Sequence, residues 1–356
     1  MRFRRVAAGS FEWSALEGYE ERTFTQTPEW LDFLTRTQGG EAVIAVLEDA
    51  GNELGYFTGL LVRRYGIRML GSPFPGTGTP FMGLALAPGV SRAGALSALA
   101  QFAFGELGCE HLEFSDPQLT AEHAQASGYI GSSLAVHVTD LSGTREQLLA
   151  SMARSVRRNA RVAQKNGLVV EEGRPEGFAE DYYPQVQEVF GRQGLKPPYG
   201  IDRVKHLIDA CYPSGNLLLL RVRDADGKCV ASSISAGLPS RAFGWGTGSY
   251  SAFWHLFPNE LLFQHNLLVW QERGTALFDW GRVWSYKPKY GAVEQTRWNF
   301  NSSKRPWVRL GRELARNSHV AGRELRRKIA TVVGQTLLAT RSGRPPRPAP
   351  GPHRQL

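Results

Sequence analysis

A chain of 356 residues, 42% hydrophobic and 21% charged, has the composition of a globular protein. That composition excludes a disordered chain, and the length, too great for one small core, leaves room for two domains. The net charge of +9 sits at one end: from Lys304 onward 13 Lys and Arg face only Glu313 and Glu324, whereas 29 basic and 31 acidic residues precede that point. A near-neutral body argues against DNA as a partner, because a protein that wraps nucleic acid carries its charge on the folded surface.

Cys109, Cys211 and Cys229 are far apart and in no CxxC pattern, and the eight histidines show no paired-ligand spacing. Neither a disulfide framework nor a metal is expected. No apolar stretch follows the basic start Met1 to Arg5 as a signal peptide requires, and no run approaches the ~18 apolar residues of a membrane span. These features lead us to expect a cytoplasmic protein with reduced thiols.

In chain order, Thr27 as N-cap, Pro28 at the first helical position and Glu29 in the first turn predict a helix. Strands are expected over Ala42 to Leu47 and Leu54 to Arg63, joined by a turn at Asp49 to Asn52. The Gly- and Pro-rich stretch Gly71 to Gly83 reads as a loop. A helix over Arg92 to Leu107 and strands over His111 to Phe114 and Tyr129 to Val138 complete the first half. One long helix is expected over Thr144 to Asn166, closed by Gly167. At 100° per residue, Arg154, Arg157, Arg158, Arg161 and Lys165 fall within one stripe about 100° wide, with Met152, Ala153, Val156, Ala160 and Ala163 opposite. Such a stripe can be an ordinary solvated face. Five cations without an acid favour an anionic partner instead, namely the phosphates of a nucleotide-linked acceptor, of tRNA or of lipid head groups.

The second half repeats the order of the first. Strands are expected over Leu217 to Arg223, Cys229 to Gly237 with a turn at Asp226–Gly227, and Ala242 to Gly246. A helix over Asn259 to Arg273 then leads to a strand over Ala276 to Trp280. At an offset of 166 residues Glu106-Leu107-Gly108 matches Glu272-Arg273-Gly274, and Leu112-Glu113-Phe114 matches Phe278-Asp279-Trp280. With the repeated order, this favours an internal duplication. Leu310 to about Thr340 has helical composition and clusters Arg323, Arg326, Arg327 and Lys328. From Arg341 onward Gly, Pro and Arg dominate and no core can form.

The richest segment reads Pro258-Asn259, a helix, Glu272-Arg273-Gly274, Phe278-Asp279-Trp280-Gly281, then Tyr286-Lys287-Pro288-Lys289-Tyr290-Gly291. This order resembles the second GNAT module of the Fem-type transferases, the peptidoglycan-bridge aminoacyltransferases and the acetyltransferase-like proteins of exopolysaccharide pathways. The Arg-rich helix followed by Gly167-Leu168-Val169-Val170 resembles the opening of that module, and the likeness covers most of Arg22 to Asn301. It implies an α+β fold of two tandem GNAT-like modules, each a mixed, mostly antiparallel sheet flanked by helices. The expected divisions are 1–143, 144–305, a basic helical extension 306–340 and a disordered tail 341–356. It also implies acyl or aminoacyl transfer to an amine of a cell-envelope precursor by direct transfer. The donor would be an acyl-CoA or an aminoacyl-tRNA, and the acceptor a small or nucleotide-linked molecule.

Residue by residue, the resemblance places Tyr286 and Lys287 near the transfer centre, with Lys287 stabilising the developing oxyanion or the acceptor's phosphate. Arg192, in Gly191-Arg192-Gln193-Gly194, matches the family's phosphate-holding Arg in position, and Asp279 matches an acid that orients the attacking amine. Lys289 and the stripe cations Arg154, Arg158 and Arg161 are further candidates for substrate contact. Without the resemblance, Asp279 reads as a turn cap, Lys287 and Lys289 as a solvated pair, and Trp280, Trp284 and Tyr290 as packing aromatics. The Arg/Gln-x-x-Gly-x-Gly/Ala loop that holds the CoA pyrophosphate in standard GNAT enzymes has no good match. That gap keeps open an alternative, a non-catalytic binding protein of the same fold for an anionic envelope or RNA partner. The basic C-terminal helix is a further candidate for contact with RNA or, peripherally, with the inner face of the membrane, and its apolar Val332, Val333, Leu337 and Leu338 are equally candidates for docking on the body.

Overall fold

The computed structural model describes residues 1–314 except 8, 10 and 65; the readings made for the chain beyond Leu314 lie outside these. The first half runs β1 (Arg2–Val6), α1 (Pro28–Gln38), β2 (Glu41–Asp49), β3 (Asn52–Arg64), β4 (Ile67–Ser72) and β5 (Leu84–Leu86), then α2 (Arg92–Gln101), β6 (His111–Asp116), α3 (Ala121–Ser127) and β7 (Ile130–Asp140). The second half runs α4 (Arg145–Ser151), α5 (Arg154–Lys165), β8 (Val169–Glu172), α6 (Phe178–Gly191) and α7 (Ile201–Cys211). It continues through β9 (Leu217–Arg223), β10 (Cys229–Gly237), β11 (Arg241–Ser249), α8 (Pro258–Glu272), β12 (Leu277–Arg282) and β13 (Val293–Ser303).

All strands belong to one sheet in the order β1-β2-β3-β4-β6-β13-β7-β12-β11-β10-β9-β8, with β5 on β3. This order is a palindrome of two equivalent sets. β4 and β6 run parallel, as do β11 and β12, while the strands outside them pair antiparallel. The duplication suggested at an offset of 166 residues is therefore visible in the topology, β6 and β12 being the equivalent strands. Both are entered through a glycine at positive φ, Gly108 at 61° and Gly274 at 76°, a conformation that costs other residues. The last strands of the two sets are exchanged: β13 pairs with β6, and β7 pairs with β12. The sheet thus runs unbroken across the division expected near residue 143.

Three differences from the sequence reading matter for the site. The single helix expected over Thr144 to Asn166 is two, α4 and α5, broken at Met152 and Ala153, whose backbone is extended. There the Ala153 N–H donates to the Lys289 carbonyl at 2.8 Å, a tertiary bond that replaces a helical one. Ile67 to Ser72 is a strand. Finally, α2 passes into a π-helical turn, Phe102–Glu106.

The helices cover both faces of the second half. Val156, Ala160 and Ala163 of α5 and Leu261, Leu262 and Leu268 of α8 bury against β9–β12 in one cluster. On the other face α6 and α7 share a cluster with Trp30 and Phe33 of α1 and with Phe243, joining the halves through an edge-to-face contact of Trp30 on Phe243 at 5.4 Å. In the first half, residues 73–83 lie across the ends of β4 and β6. The Met82 N–H donates to Ser115 O and the Gly83 N–H to Ser72 Oγ, both at 2.9 Å. Phe81 and Met82 are buried, so the chain itself fills this position between the parallel strands.

Candidate active site

The equivalent position in the second half is open. β11 and β12 pair in parallel only from Arg241–Leu277 to Phe243–Asp279. Beyond that level both leave the ladder. β11 carries a bulge against β10, with Ser235 facing Gly244 but Ile234 facing Gly246, so that Trp245 is the extra residue. β12 is irregular against β7 between Asp279 and Arg282, where Gly281 takes φ 71°. Two strands diverging at one level leave a cleft of about 250 Å³. It is walled by Ser233, Ser235 and residues 244–247 on one side, Phe278, Trp280, Tyr286 and Lys287 on the other, and Phe263 and Asn266 of α8.

The walls are set by packing. Phe263 stacks on Tyr286 at 5.9 Å and meets Trp280 edge-on at 5.3 Å. The Trp280 indole N–H donates to Thr139 Oγ1 at 2.8 Å, which locks that ring through β7. Trp270 Nε1 donates to Ser235 Oγ, which donates in turn to Asn266 Oδ1, each at 2.8 Å. Ser233 is 4% exposed, and its hydroxyl has no partner among the described residues. An unpartnered buried hydroxyl on a cleft wall is poised for a ligand's polar atom.

Lys287 opens a short 3-10 turn, Lys287–Tyr290, and is 4% exposed. Its Nζ donates to Trp280 O at 2.5 Å and Arg282 O at 2.6 Å, two carbonyls turned the same way by the kink at Gly281. Burial pulls its pKa down from 10.5 to about 8, against the opposing charge of Asp279. An ammonium has three donors; two are taken by backbone, and the third has no partner among the described residues. Tyr286 is 40% exposed at the cleft mouth, and burial of its hydroxyl raises its pKa.

Asp279 occupies a different environment. It is fully buried, pairs with Arg297 of β13 and lies 3.5 Å from Arg241 of β11. The Gly281 N–H donates to its Oδ1 at 2.7 Å. Strand alternation points it away from the face on which Phe278 and Trp280 line the cleft. Arg297 also donates to Pro80 O at 3.3 Å, so this ion pair ties β12 to the 73–83 segment. The part expected of Asp279, orienting an amine, does not fit this geometry: its oxygens are held by two guanidinium groups and a backbone N–H.

The remaining sequence candidates lie outside the cleft wall. Arg192 follows α6, exposed, with its guanidinium 3.9 Å over the Trp254 ring. Lys289 is exposed and lies beside the α4–α5 break through its backbone carbonyl. Arg154, Arg158, Arg161 and Lys165 are exposed along α5, and none has a carboxylate partner among the described residues. Sequence reading missed Arg203, on α7. Its Nη2 donates to Thr77 O, its Nε has no partner among the described residues, and burial lowers its pKa. Gly78 approaches it: a Cβ there would lie 3.8 Å from Nη2 and 3.1 Å from Trp245 Nε1. A lone Arg in a helix without a motif gave no sequence signal. A half-buried cation with no acid partner, between a Gly-rich segment and the cleft strand, is placed for an anion.

Comparison with known proteins agrees with this architecture. An acetyltransferase (GNAT) domain matches residues 150–290. Sequence comparison with curated proteins gives no match. Among solved structures, FemX is 13% identical, with a TM-score of 0.69 over 84% of this chain and 97% of that one. A conserved protein of unknown function from Bacteroides thetaiotaomicron is 8% identical, with a TM-score of 0.55 over 85% and 99%. The L-PGS of Bacillus licheniformis is 12% identical, with a TM-score of 0.50 over 84% and 97%. Residues 150–290 thus match an acetyltransferase (GNAT) domain, and the chain as a whole shares its fold with FemX.

Proposed function

We propose that the chain transfers an acyl or aminoacyl group directly from its donor to an amine of a cell-envelope precursor, with the reacting carbonyl in the cleft between β11 and β12. The observation that carries this reading is Lys287: a buried cation with a donor to spare on the wall of a cleft built by strand divergence. Attack of the amine on the carbonyl places negative charge on its oxygen, and a fixed cation in a desolvated site stabilises that charge more than water does. The intermediate collapses by expelling the donor's thiolate or ribose oxygen, and the amine's proton leaves with it or to solvent. No histidine lines the cleft, and Ser235 is held by Asn266 and Trp270. The wall therefore supplies no activated nucleophile for a covalent enzyme intermediate.

The exposed cations of α5 suit the donor. Its first turn lies beside the Lys289 carbonyl, close in sequence to the cleft residues Tyr286 and Lys287. Arg203 and Arg192 suit an anionic acceptor. Replacing Arg154, Arg158 and Arg161 together with glutamine is expected to raise KM for the donor about tenfold or more while kcat stays within about twofold. With charged tRNA, the salt dependence of log K should also flatten by about 2–3, since each lost phosphate contact removes ~0.7–0.9 from the slope.

The second reading, a binding protein that kept the fold without the chemistry, is favoured by the entrance to α8. There Phe257 takes φ 61° without a side-chain cap, and the stretch leading into the helix holds no glycine of the kind that the pyrophosphate loop needs. Thermal shift against acetyl-CoA, longer acyl-CoAs, UDP-sugars and charged tRNA separates the two. A specific donor raises the melting temperature as its concentration exceeds Kd, whereas a binding-only protein answers to anions generally.

A further inference from the structure

Beyond the cleft, one surface has no use in the transfer reaction. Residues 306–314 form a helix after β13. Its inner side is docked: Val308 is 1% exposed, Arg312 pairs with Glu113, and Arg305 lies 3.7 Å from Glu110. On its outer side Trp307, Leu310 and Leu314 are 54%, 57% and 61% exposed. At 100° per residue these three fall within about 60° of one another, and Arg309 and Arg312 lie across the helix from them. A Trp and two Leu aligned on the outer face of a docked helix form a surface patch that needs a partner.

The charge around the stripe identifies that partner. The segment from Lys304 to the C-terminus carries 13 basic residues against two acids, on a body of 29 against 31. A second copy of the chain would bring a like-charged segment against it. Leucine side chains give nucleic-acid bases no face to stack on. An anionic bilayer suits both properties of the segment: the apolar stripe is buried at the head-group boundary, and the segment's net positive charge is drawn to the acidic surface. Among the described residues no helix is long and apolar enough to cross a membrane, so the contact is with the surface.

We propose that the helix over 306–314 is a membrane-surface anchor, in which Trp307, Leu310 and Leu314 enter the interface of a bilayer containing acidic phospholipid. The test is flotation of the full chain with vesicles of phosphatidylcholine alone and of phosphatidylcholine with a third phosphatidylglycerol. Binding to the anionic vesicles should exceed binding to the neutral ones by about tenfold or more, and Leu310→Gln with Leu314→Gln should lower it about tenfold or more. Both leucines are exposed, so the thermal transition of the variant should match the parent. Trp307 should also shift its emission to the blue on adding anionic vesicles, read as the difference from Trp307→Phe. Absence of binding, equal binding to both vesicles or unchanged binding by the double variant overturns the proposal. A change in oligomeric state of the double variant without vesicles does so as well, because the stripe would then be an interface between copies. No substrate is present in these measurements, so their failure leaves the transferase reading untouched.

Discussion

Lys287→Ala is expected to lower kcat by about two to three orders of magnitude, the loss typical of removing one preorganised donor to a developing oxyanion, with little change in donor affinity. Lys287 is nearly as buried as a core leucine, and its ammonium is held by the carbonyls of Trp280 and Arg282, so its position is fixed before substrate arrives. The role requires the protonated form. With a pKa of about 8, the group loses its charge as pH rises through that value, and kcat should gain a falling limb there that Lys287→Ala lacks. Stability moves the opposite way. The unfolded chain holds this proton up to its ordinary pKa of 10.5, so between about 8 and 10.5 the unfolded state binds more protons and stability rises with pH. Denaturant titrations across that range should show the rise in the parent and a flatter dependence in Lys287→Met. A Lys287→Ala enzyme as fast as the parent would remove the cation from the mechanism.

Asp279→Ala is expected to act on folding instead. Its carboxylate is the partner of Arg297, 6% exposed, and lies within ion-pair distance of Arg241. Removing it leaves buried guanidinium charge without its counter-ion, which costs about 3–5 kcal/mol, a large part of a domain's whole stability. Chemical denaturation near neutral pH measures the loss, and kcat per folded molecule should stay within a few-fold of the parent because the carboxylate faces away from the cleft. A variant with near-parental stability and a collapsed kcat would instead restore the sequence-based role, an acid that orients the amine.

The contrast between these two residues shows what the sequence could disclose. Strands bounded by strong turns were legible to the residue: Leu217 to Arg223, which opens on four leucines, and Cys229 to Gly237 flank the turn at Asp226–Gly227. The Thr27–Pro28 start of α1 was equally plain, and Thr27 Oγ1 indeed accepts from the Trp30 N–H at 3.5 Å. Features set by distant partners were not legible. The break at Met152–Ala153 answers a carbonyl at Lys289. β13, Val-Glu-Gln-Thr-Arg-Trp-Asn-Phe-Asn-Ser-Ser, is too polar to announce itself as a strand, yet it lies between β6 and β7. Ile67 to Ser72 was obscured by the glycine and proline at its end. The motif around Lys287 put that residue on the cleft wall, whereas the acid beside it owes its environment to Arg241 and Arg297, invisible in the motif. The cleft itself comes from a bulge at Trp245 and a kink at Gly281, backbone events without a residue signature.

The most direct measurement of the central claim is a donor-induced thermal shift in the parent and in Ser233→Leu, whose added side chain fills the cleft between β11 and β12. The donor that raises the parent's melting temperature in the screen is titrated against both proteins, each referred to its own ligand-free transition. The shift is expected to vanish or fall by most of its size in Ser233→Leu. An undiminished shift in the filled variant would place the donor elsewhere and contradict the account.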